Sequence, residues 1–268
     1  MVFDNHQDEY NHSRNKMTLK GKLVHDIQRV NTRLMLRYAD GIFGVTEGRT
    51  QYAIDVYGAN TSKTNTLFMG VDDRLVEYEK RTVFRKRIAD KLKLSDDTFW
   101  IVSGGKLDKD KAILELMDAY EHLRDKKRIK LILFGSVSDD IEADFRKRID
   151  DTDIFHLGFL SAIEIYELFI SSDLGVFPGG HSVLWEQAVG CGLPCLFHYR
   201  QGMTHVDVGG NCMFLQNTEP SEIYEKIMEV INDEEKYLHM KNIALNIARK
   251  KFSYSEIAKK SLSVQKLL

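Results

Sequence analysis

Residues 174–211, LGVFPGGHSVLWEQAVGCGLPCLFHYRQGMTHVDVGGN, carry the pattern that decides the fold. They predict a buried strand at 174–177, a Pro-Gly-Gly turn, a helix that opens near His181 and Ser182, and a second strand at 195–198. Glycines let the backbone pass close to a ligand, and the N–H groups at a helix start favour an anion. Because every parallel α/β protein repeats this unit, the stretch alone predicts either a phosphate cradle or an ordinary structural unit.

The chain from Trp100 onward alternates short apolar strands with amphipathic helices. Near-continuous apolar strands separated by helices predict a parallel sheet covered on both faces, so this part is expected to be a doubly wound α/β domain. The expected strands lie at 100–103, 130–134, 154–157, 174–177, 195–198 and 213–215. The expected helices lie at 110–124, 139–150, 161–171 and 182–191, followed by 220–232, 234–251 and 253–267.

The first seventy residues predict a smaller α/β part. Residues 1–4 resemble the end of a strand and 5–16 a polar loop, and a helix, a strand and a second helix are expected at 22–38, 42–45 and 46–57. Thr46 is the expected cap of that second helix and Gly58 its stop. A polar loop at 59–65, a strand at 67–72 and a domain linker near 66–76 complete the prediction. We expect an incomplete first domain, since it begins on the last residues of a strand.

Composition limits the partners and the cellular locations that we expect for the protein. Lys and Arg total 38 against 40 Asp and Glu in 268 residues, so the net charge of −2 gives no support for nucleic-acid binding. Three cysteines, one necessarily unpaired within the chain, favour a reducing compartment, and the cytoplasm is the expected location. No window approaches the roughly 20 apolar residues that span a bilayer, so peripheral membrane contact is the most we expect.

Ligands of parallel sheets bind beyond the carboxyl ends of the strands, which directs attention to the loops there. The first loop holds Gly104, Gly105, Lys106 and Lys111, a combination of close backbone approach and positive charge that suits a diphosphate. The next two loops begin with Gly135 and with Gly158. Lysine-rich loops are usually solvated surface, so only the combination points to a site.

That combination resembles a known family. The order GGKLDKDK, LILFGS, FHLGFLSAIEIYELFISSDLGVFP and a Glu-bearing helix ending in CGLP is similar to the nucleotide-sugar-binding domain of GT-B glycosyltransferases, the large retaining family 4, glycosyl transferases group 1. RYADGIFGVTEGRTQYAIDVYG and TLFMGVD resemble the last unit of that family's acceptor domain, and FSYSEIAKKSL its closing helix. The resemblance implies a partial acceptor-side domain at 1–70, a Rossmann-like donor domain at 71–252 and a crossover helix at 253–268.

The resemblance also implies roles for charged residues. Lys106 stands where the family has a phosphate-binding Arg and Lys111 where it has a Lys, and the pair would neutralise the leaving diphosphate. The family's paired glutamates, eight apart, fall on Gly179 and Gln187, with Glu186 one residue away. Either Glu186 or Gln187 is expected to bind the ribose hydroxyls.

The remaining site residues follow from the same comparison. His181 and Ser182 are the candidates to replace the first glutamate near the sugar, with Gly180 close to the ligand; for His181 an ordinary place at the helix start is the alternative. His205 and Asp207 lie in the loop that holds sugar and diphosphate. His6 resembles the family's acceptor-side histidine, which would position or deprotonate the acceptor hydroxyl.

Metal sites are weaker alternatives. Asp108-Lys109-Asp110 and Asp151-Thr152-Asp153 match a metal-binding pattern that 40 acidic residues produce by chance, so no metal is expected. Cys191 and Cys195 have no partner ligands near them in sequence and are expected to be buried thiols rather than zinc ligands. Trp185 is expected in the core.

The implied activity is metal-independent hexosyl transfer, with retention, from a nucleoside-diphosphate sugar to a glycan or lipid-linked acceptor in polysaccharide biosynthesis, without a cofactor. A nucleotide-sugar-binding half-protein that needs a partner chain or oligomer to complete the first domain is the alternative. A sugar-nucleotide epimerase is a third, and Asp4, Asp8 and Glu9 are the carboxylates that the first domain offers for it.

Overall fold

The computed structural model describes residues 1–9, 15, 17–123 and 128–265, the side chains of 263–265 excepted. The predicted loop at 5–16, the end of the helix at 110–124 and the end of the last helix therefore lie partly outside the described residues. The chain divides into two compact units. The first unit comprises Met1–Met69, Arg200–His205 and Ser255–Leu268, and the second comprises Gly70–Tyr199 and Val206–Tyr254.

The first unit contains a small parallel sheet in the order β1-β2-β3. Its elements are β1 Val2–Asn5, α1 Leu19–Leu36, β2 Gly41–Gly44, α2 Glu47–Tyr57 and β3 Thr64–Thr66. Thr46 caps α2 by accepting a hydrogen bond from the Arg49 amide at 3.2 Å, and Gly58 ends it in the left-handed conformation, as predicted.

The prediction of a strand at 67–72 is wrong. β3 lies in the polar stretch just before it, where Thr64–Thr66 pairs in parallel with Ile42, Phe43 and Gly44 of β2. Threonine is β-branched and suits a half-buried strand, and these three residues are all partly exposed. The apolar run at 67–69 therefore follows the paired segment instead of forming it.

The second unit is a doubly wound α/β domain, as predicted. Its six parallel strands have the order β6-β5-β4-β7-β8-β9. The strands are β4 Phe99–Gly104, β5 Ile129–Phe134, β6 Ile154–His156, β7 Leu174–Phe177, β8 Cys195–His198 and β9 Cys212–Leu215. The helices are α3 Arg81–Leu92, α4 Ile113–Glu121, α5 Glu142–Arg148, α6 Ala162–Ser171, α7 Leu184–Gly190, α8 Pro220–Asn232, α9 Glu234–Ile243, a π-helical turn Ala244–Ala248, and α10 Arg249–Lys251. A final helix, α11 Tyr254–Gln265, ends the described chain.

Helix α3 was not predicted, and a carboxylate attaches it to the sheet. Asp173 accepts hydrogen bonds from Arg81 at 2.8 Å and from Arg85 at 3.0 Å, and from the Trp100 amide at 2.9 Å. The Arg85 guanidinium also lies 4.2 Å from the centre of the Trp100 ring. Asp173 comes just before β7 and Trp100 lies near the start of β4, so this network fixes the amino ends of the two central strands.

The core of the second unit is mainly apolar. Trp100, Ile101, Leu131 and Val176 are fully buried, and so is Trp185, as predicted. Cys191, Cys195 and Cys212 are free and buried, which confirms the expected thiols. Burial raises the pKa of each thiol well above its usual value near 9, so all three stay protonated in the folded protein.

The strand order reverses between β4 and β7. From β4 the chain proceeds to β5 and β6 on one side, whereas β7, β8 and β9 lie on the other. At such a switch point the loops after the two central strands leave in opposite directions and open a crevice at the carboxyl edge of the sheet. The loop after β4 and the Pro-Gly-Gly turn after β7 therefore flank this crevice.

Candidate functional site

Glycines let the loops after β4, β5 and β6 approach one another closely. Gly135 has a φ of +113°, and its amide donates to the carbonyl of Gly158 at 2.7 Å. A Cβ at Gly135 would lie only 1.8 Å from the carbonyl oxygen of Gly105. Three predicted site glycines, Gly105, Gly135 and Gly158, thus form one continuous row along the carboxyl edge. This row gives a ligand access to main-chain groups that a side chain would cover.

A lysine joins the two loops of the switch point. The Lys111 ammonium donates to the carbonyl of Gly180 at 2.7 Å and contacts the Asp110 carboxylate at 3.2 Å. The Gly180 amide in turn donates to the Asp110 carbonyl at 2.8 Å. A Cβ at Gly179 would lie 2.2 Å from that same carbonyl oxygen. The structure therefore brings Lys111 and Gly180 together and places the lysine charge at the turn.

Lys106 extends from the same loop toward solvent. Its side chain is 69% exposed, and its ammonium lies 3.4 Å from the Asp108 carboxylate. A hydrogen bond from Ser138 lowers the pKa of Asp140, and the positive charges of Lys109 and Lys106 act in the same direction. The lysines at the mouth of the crevice therefore act on a nearby carboxylate through their charge. A long, exposed lysine side chain is also able to reorient toward an anion.

Two histidines that the sequence analysis did not single out support the site loops. His156, the last residue of β6, donates from Nε2 to the Gly135 carbonyl at 2.9 Å. His198, the last residue of β8, donates from Nδ1 to the Pro178 carbonyl at 2.9 Å. A polar residue at the carboxyl end of an otherwise apolar parallel strand is the signal that would have found both.

The segment after the Pro-Gly-Gly turn differs from the prediction. Helix α7 begins at Leu184, so His181 and Ser182 precede the helix and do not open it. A single turn closed by the Trp185 amide and the Ser182 carbonyl, 3.0 Å apart, comes first. His181 Nε2 lies 2.9 Å from a Glu186 carboxylate oxygen, and both side chains are almost completely buried.

The family model for glycosyl transferases group 1 matches residues 84–246. The chain belongs to this family. The matched residues include the glycine row, Lys106, Lys111 and the Pro-Gly-Gly turn. No curated protein matches the sequence.

Solved structures share the GT-B fold of this group 1 chain. Alr3699/HepE of Anabaena, in complex with UDP and glucose, is 18% identical over 100% of this chain and 71% of its own, with a TM-score of 0.75. WaaG, a glycosyltransferase of lipopolysaccharide biosynthesis, is 15% identical over 98% of this chain and 74% of its own, with a TM-score of 0.72. The sucrose-phosphate synthase of Thermosynechococcus elongatus has 14% identity, coverages of 99% and 67%, and a TM-score of 0.72.

The remaining predicted residues of the second unit have mainly structural contacts. A Cβ at Gly104 would lie 2.4 Å from the Phe134 ring, so packing alone requires this glycine. Asp207 accepts from the amides of Gly210 at 2.8 Å and Cys212 at 3.3 Å and shapes the loop before β9. Gln187 lies partly buried within α7.

The other two predicted histidines belong to the first unit. His6 follows β1, is more than half exposed, and lies 3.0 Å from the Asp4 carboxylate. His205 is buried, and its ring stacks on Phe68 with the centroids 4.5 Å apart. His6 is therefore accessible to a ligand, whereas the ring faces of His205 are partly covered.

A cavity of about 810 Å³ lies within the first unit, at the carboxyl edge of its sheet. Its described lining includes the carboxylates of Glu9, Glu47 and Asp55, and the buried Tyr52. Burial raises the pKa of Tyr52, and nearby negative charges, Glu9 among them, add to the effect. The cavity has the volume and the polar groups to hold a polyhydroxylated molecule.

Proposed function

We propose that the protein is a retaining, metal-independent glycosyltransferase that moves a hexosyl group from a nucleoside-diphosphate sugar to a hydroxyl of a glycan or lipid-linked acceptor in cell-surface polysaccharide synthesis. The glycine row with Lys106 and Lys111, at the switch point of the family-matched domain, is the observation that carries this proposal. Alr3699/HepE was solved with UDP and glucose, and WaaG acts in lipopolysaccharide biosynthesis, which supports the substrate class.

In the proposed mechanism, the bond between the anomeric carbon and the diphosphate oxygen breaks while the acceptor oxygen bonds to the same face of the sugar. The departing diphosphate oxygen takes the acceptor proton, so no protein nucleophile is required. Lys106 turns toward the diphosphate and stabilises its growing charge, and Lys111, held at Gly180, contributes from a fixed position. Gln187 binds the ribose, since the Glu186 side chain is fully buried against His181, and His6 positions the acceptor.

The Lys106→Ala variant tests this proposal. We expect wild-type protein to bind one of UDP or GDP saturably in calorimetry, equally well with Mg²⁺ and with EDTA. We expect Lys106→Ala to lose about 100-fold in turnover, the usual effect of removing one charge-stabilising donor. Lys147→Ala is the matched control, because it removes an exposed lysine from α5. Wild-type binding and turnover in Lys106→Ala would refute the role of this residue.

A nucleotide-sugar-binding half that acts with a partner chain is the second candidate. Among the described residues, β1 pairs only with β2, so one side of this strand has no neighbour. Nucleotide binding without transfer, restored to transfer by a second polypeptide, would favour this candidate, and full activity of a monomer would exclude it. We place the protein in the cytoplasm, with peripheral membrane contact at most.

A further inference from the structure

The turn after β1 carries His6 and is closed by its neighbour Asn5. The Asn5 side-chain amide donates to the Gln7 carbonyl at 3.0 Å, and the Gln7 amide donates to Asn5 Oδ1 at 3.3 Å. The two bonds enclose His6, which lies between these residues in the sequence. Asn5 is the last residue of β1 and is only 2% exposed. One buried side chain thus fixes the main chain on both sides of His6.

Arg49 joins this turn to α2. Its carbonyl accepts a hydrogen bond from the Asn5 side-chain amide at 2.7 Å, and its Nε donates to the Asp8 carboxylate at 3.0 Å. The Arg49 amide donates to the Thr46 hydroxyl oxygen at 3.2 Å, so the residue is fixed in the first turn of α2. The main chain and the side chain of Arg49 therefore hold the chain before and after His6.

The ion pair of Asp8 and Arg49 is almost completely buried, although His6 beside it is exposed. The two side chains are 4% and 8% exposed. Burial of a charged pair removes hydration that the mutual attraction only roughly offsets, so apolar residues of similar volume are often equally stabilising. Such pairs can instead specify one conformation of the chain. Stability alone therefore does not require this pair, and a role in placing the turn accounts for it.

Asp4 orients the His6 ring. An ionised carboxylate only accepts hydrogen bonds, so His6 Nε2, 3.0 Å from Asp4 Oδ2, is the donor, and Nδ1 of the neutral ring remains as an acceptor. Both side chains are more than half exposed, and an exposed contact of this kind contributes little energy. The position of the ring therefore depends more on the main chain of the turn, and so on its anchor at Arg49, than on Asp4.

We infer that Arg49 is a positioning residue for the acceptor, because it holds the turn from which His6 Nδ1 accepts a hydrogen bond of the acceptor. This bond comes from a hydroxyl next to the reacting one, whose own proton stays available to the departing diphosphate oxygen. A group that is held in place before binding loses less conformational freedom on binding. Loss of the anchor should therefore weaken acceptor binding and leave donor binding to the second unit unchanged. The inference rests on the proposed function, in which His6 positions the acceptor.

Nuclear magnetic resonance of the histidine rings tests the positioning without donor or acceptor. In the full chain with ¹⁵N-labelled histidine, His6→Gln identifies the His6 signals among the nine histidines. We expect wild-type His6 to be one neutral form, protonated at Nε2 and not at Nδ1. Arg49→Met should shift its signals toward the average of a mobile imidazole, and Arg49→Lys, which keeps the cation, should restore them in part. Arg37→Met, which removes an exposed arginine of the same unit, is the control and should leave them unchanged.

A double substitution separates positioning from stability. Arg49→Met alone leaves the Asp8 charge buried without its arginine and can unfold the first unit. Arg49→Met with Asp8→Leu removes both charges, so its unfolding in urea should stay close to that of the wild type. Its His6 signals should still be averaged in part, because the side-chain anchor is gone. Wild-type His6 signals in this double variant, or an averaged ring already in the wild-type protein, would overturn the inference.

Transfer kinetics connect the turn to the acceptor. With methyl glycosides as acceptor probes and the nucleotide sugar that wild-type protein binds, Arg49→Met should raise the acceptor KM about 10-fold, the effect of one hydrogen bond, with little change in kcat or in the donor KM. An equal loss toward donor and acceptor would indicate a general structural defect and would contradict the positioning role. If the wild-type protein transfers to no acceptor, the proposed function fails, and the histidine signals still decide how the ring is held.

Discussion

Replacing Gly135 with alanine tests whether the glycine row holds the site in shape. The new Cβ would lie 1.8 Å from the Gly105 carbonyl oxygen, and real Cβ atoms essentially never come within 3.0 Å of a neighbour. The loop after β4 must therefore move away from position 135 by at least the difference between these two distances, about 1.2 Å. This loop carries Lys106 and Lys111. A misplacement of about 1 Å in a catalytic site can lower turnover on the order of 100-fold.

Gly158→Ala is the matched control. Gly158 has a φ of +69°, so alanine there is also strained, but its Cβ would meet nothing within 4 Å. We expect Gly158→Ala to lose about 1 kcal/mol of unfolding free energy from backbone strain alone. Gly135→Ala should lose about 3–5 kcal/mol, because strain at a φ of +113° adds to the overlap with the Gly105 carbonyl.

Two measurements separate the effects. Urea unfolding gives the stability of both variants, and calorimetric titration with the nucleotide that wild-type protein binds gives their affinities. We expect Gly135→Ala, while it remains folded, to bind the nucleotide more weakly than Gly158→Ala, which should bind within a few-fold of wild type. Equal stability and equal affinity in the two variants would refute the argument that contact between Gly135 and Gly105 shapes the site.

Three further predictions concern the second unit. Asp173→Ala should lower the free energy of unfolding in urea by about 3 kcal/mol, because two arginines lose their buried partner and the Trp100 amide loses its acceptor. Asp144→Ala, which removes an exposed ion pair, should lower it by less than about 0.5 kcal/mol. The cysteine pKa values are higher in the folded than in the unfolded protein, so the free energy of unfolding should fall as the pH rises above about 9. The fall should reach up to about 4 kcal/mol per pH unit for three thiols, and it should be less steep when all three cysteines are replaced by alanine. Gly179→Ala should weaken nucleotide binding more than Gly158→Ala, because its Cβ would overlap the loop after β4; equal affinities would contradict this.

The second unit was predictable because its strands are apolar and its helices amphipathic. Burial on both faces of a parallel sheet requires such strands, and β7 and β8 have the predicted bounds. Helix α3 lacked this signal: half of its sequence, RTVFRKRIADKL, is charged, and its attachment depends on Asp173, more than eighty residues away. A contact so distant in sequence leaves no local pattern.

The site was predictable in its glycines and less so in its polar side chains. A glycine beyond an apolar strand marks a loop that needs close approach, and Gly105, Gly135 and Gly158 all have positive φ. Whether a polar side chain extends into solvent or bonds a neighbouring loop depends on the tertiary structure. Lys106 and Lys111 illustrate this, because one is exposed and the other contacts the Gly180 carbonyl.

The departure from the family pattern at Gly179 has a physical reason in the loop packing. A Cβ at this position would lie 2.2 Å from the Asp110 carbonyl oxygen and 2.3 Å from the Lys111 Cα, so a glutamate would displace the loop after β4. The same packing lets Lys111 reach the Gly180 carbonyl. Close contact between the two switch-point loops thus brings a lysine charge to the turn and excludes a carboxylate at position 179. Recognition of the sugar then requires other groups, and main-chain groups of the glycine row are available for it.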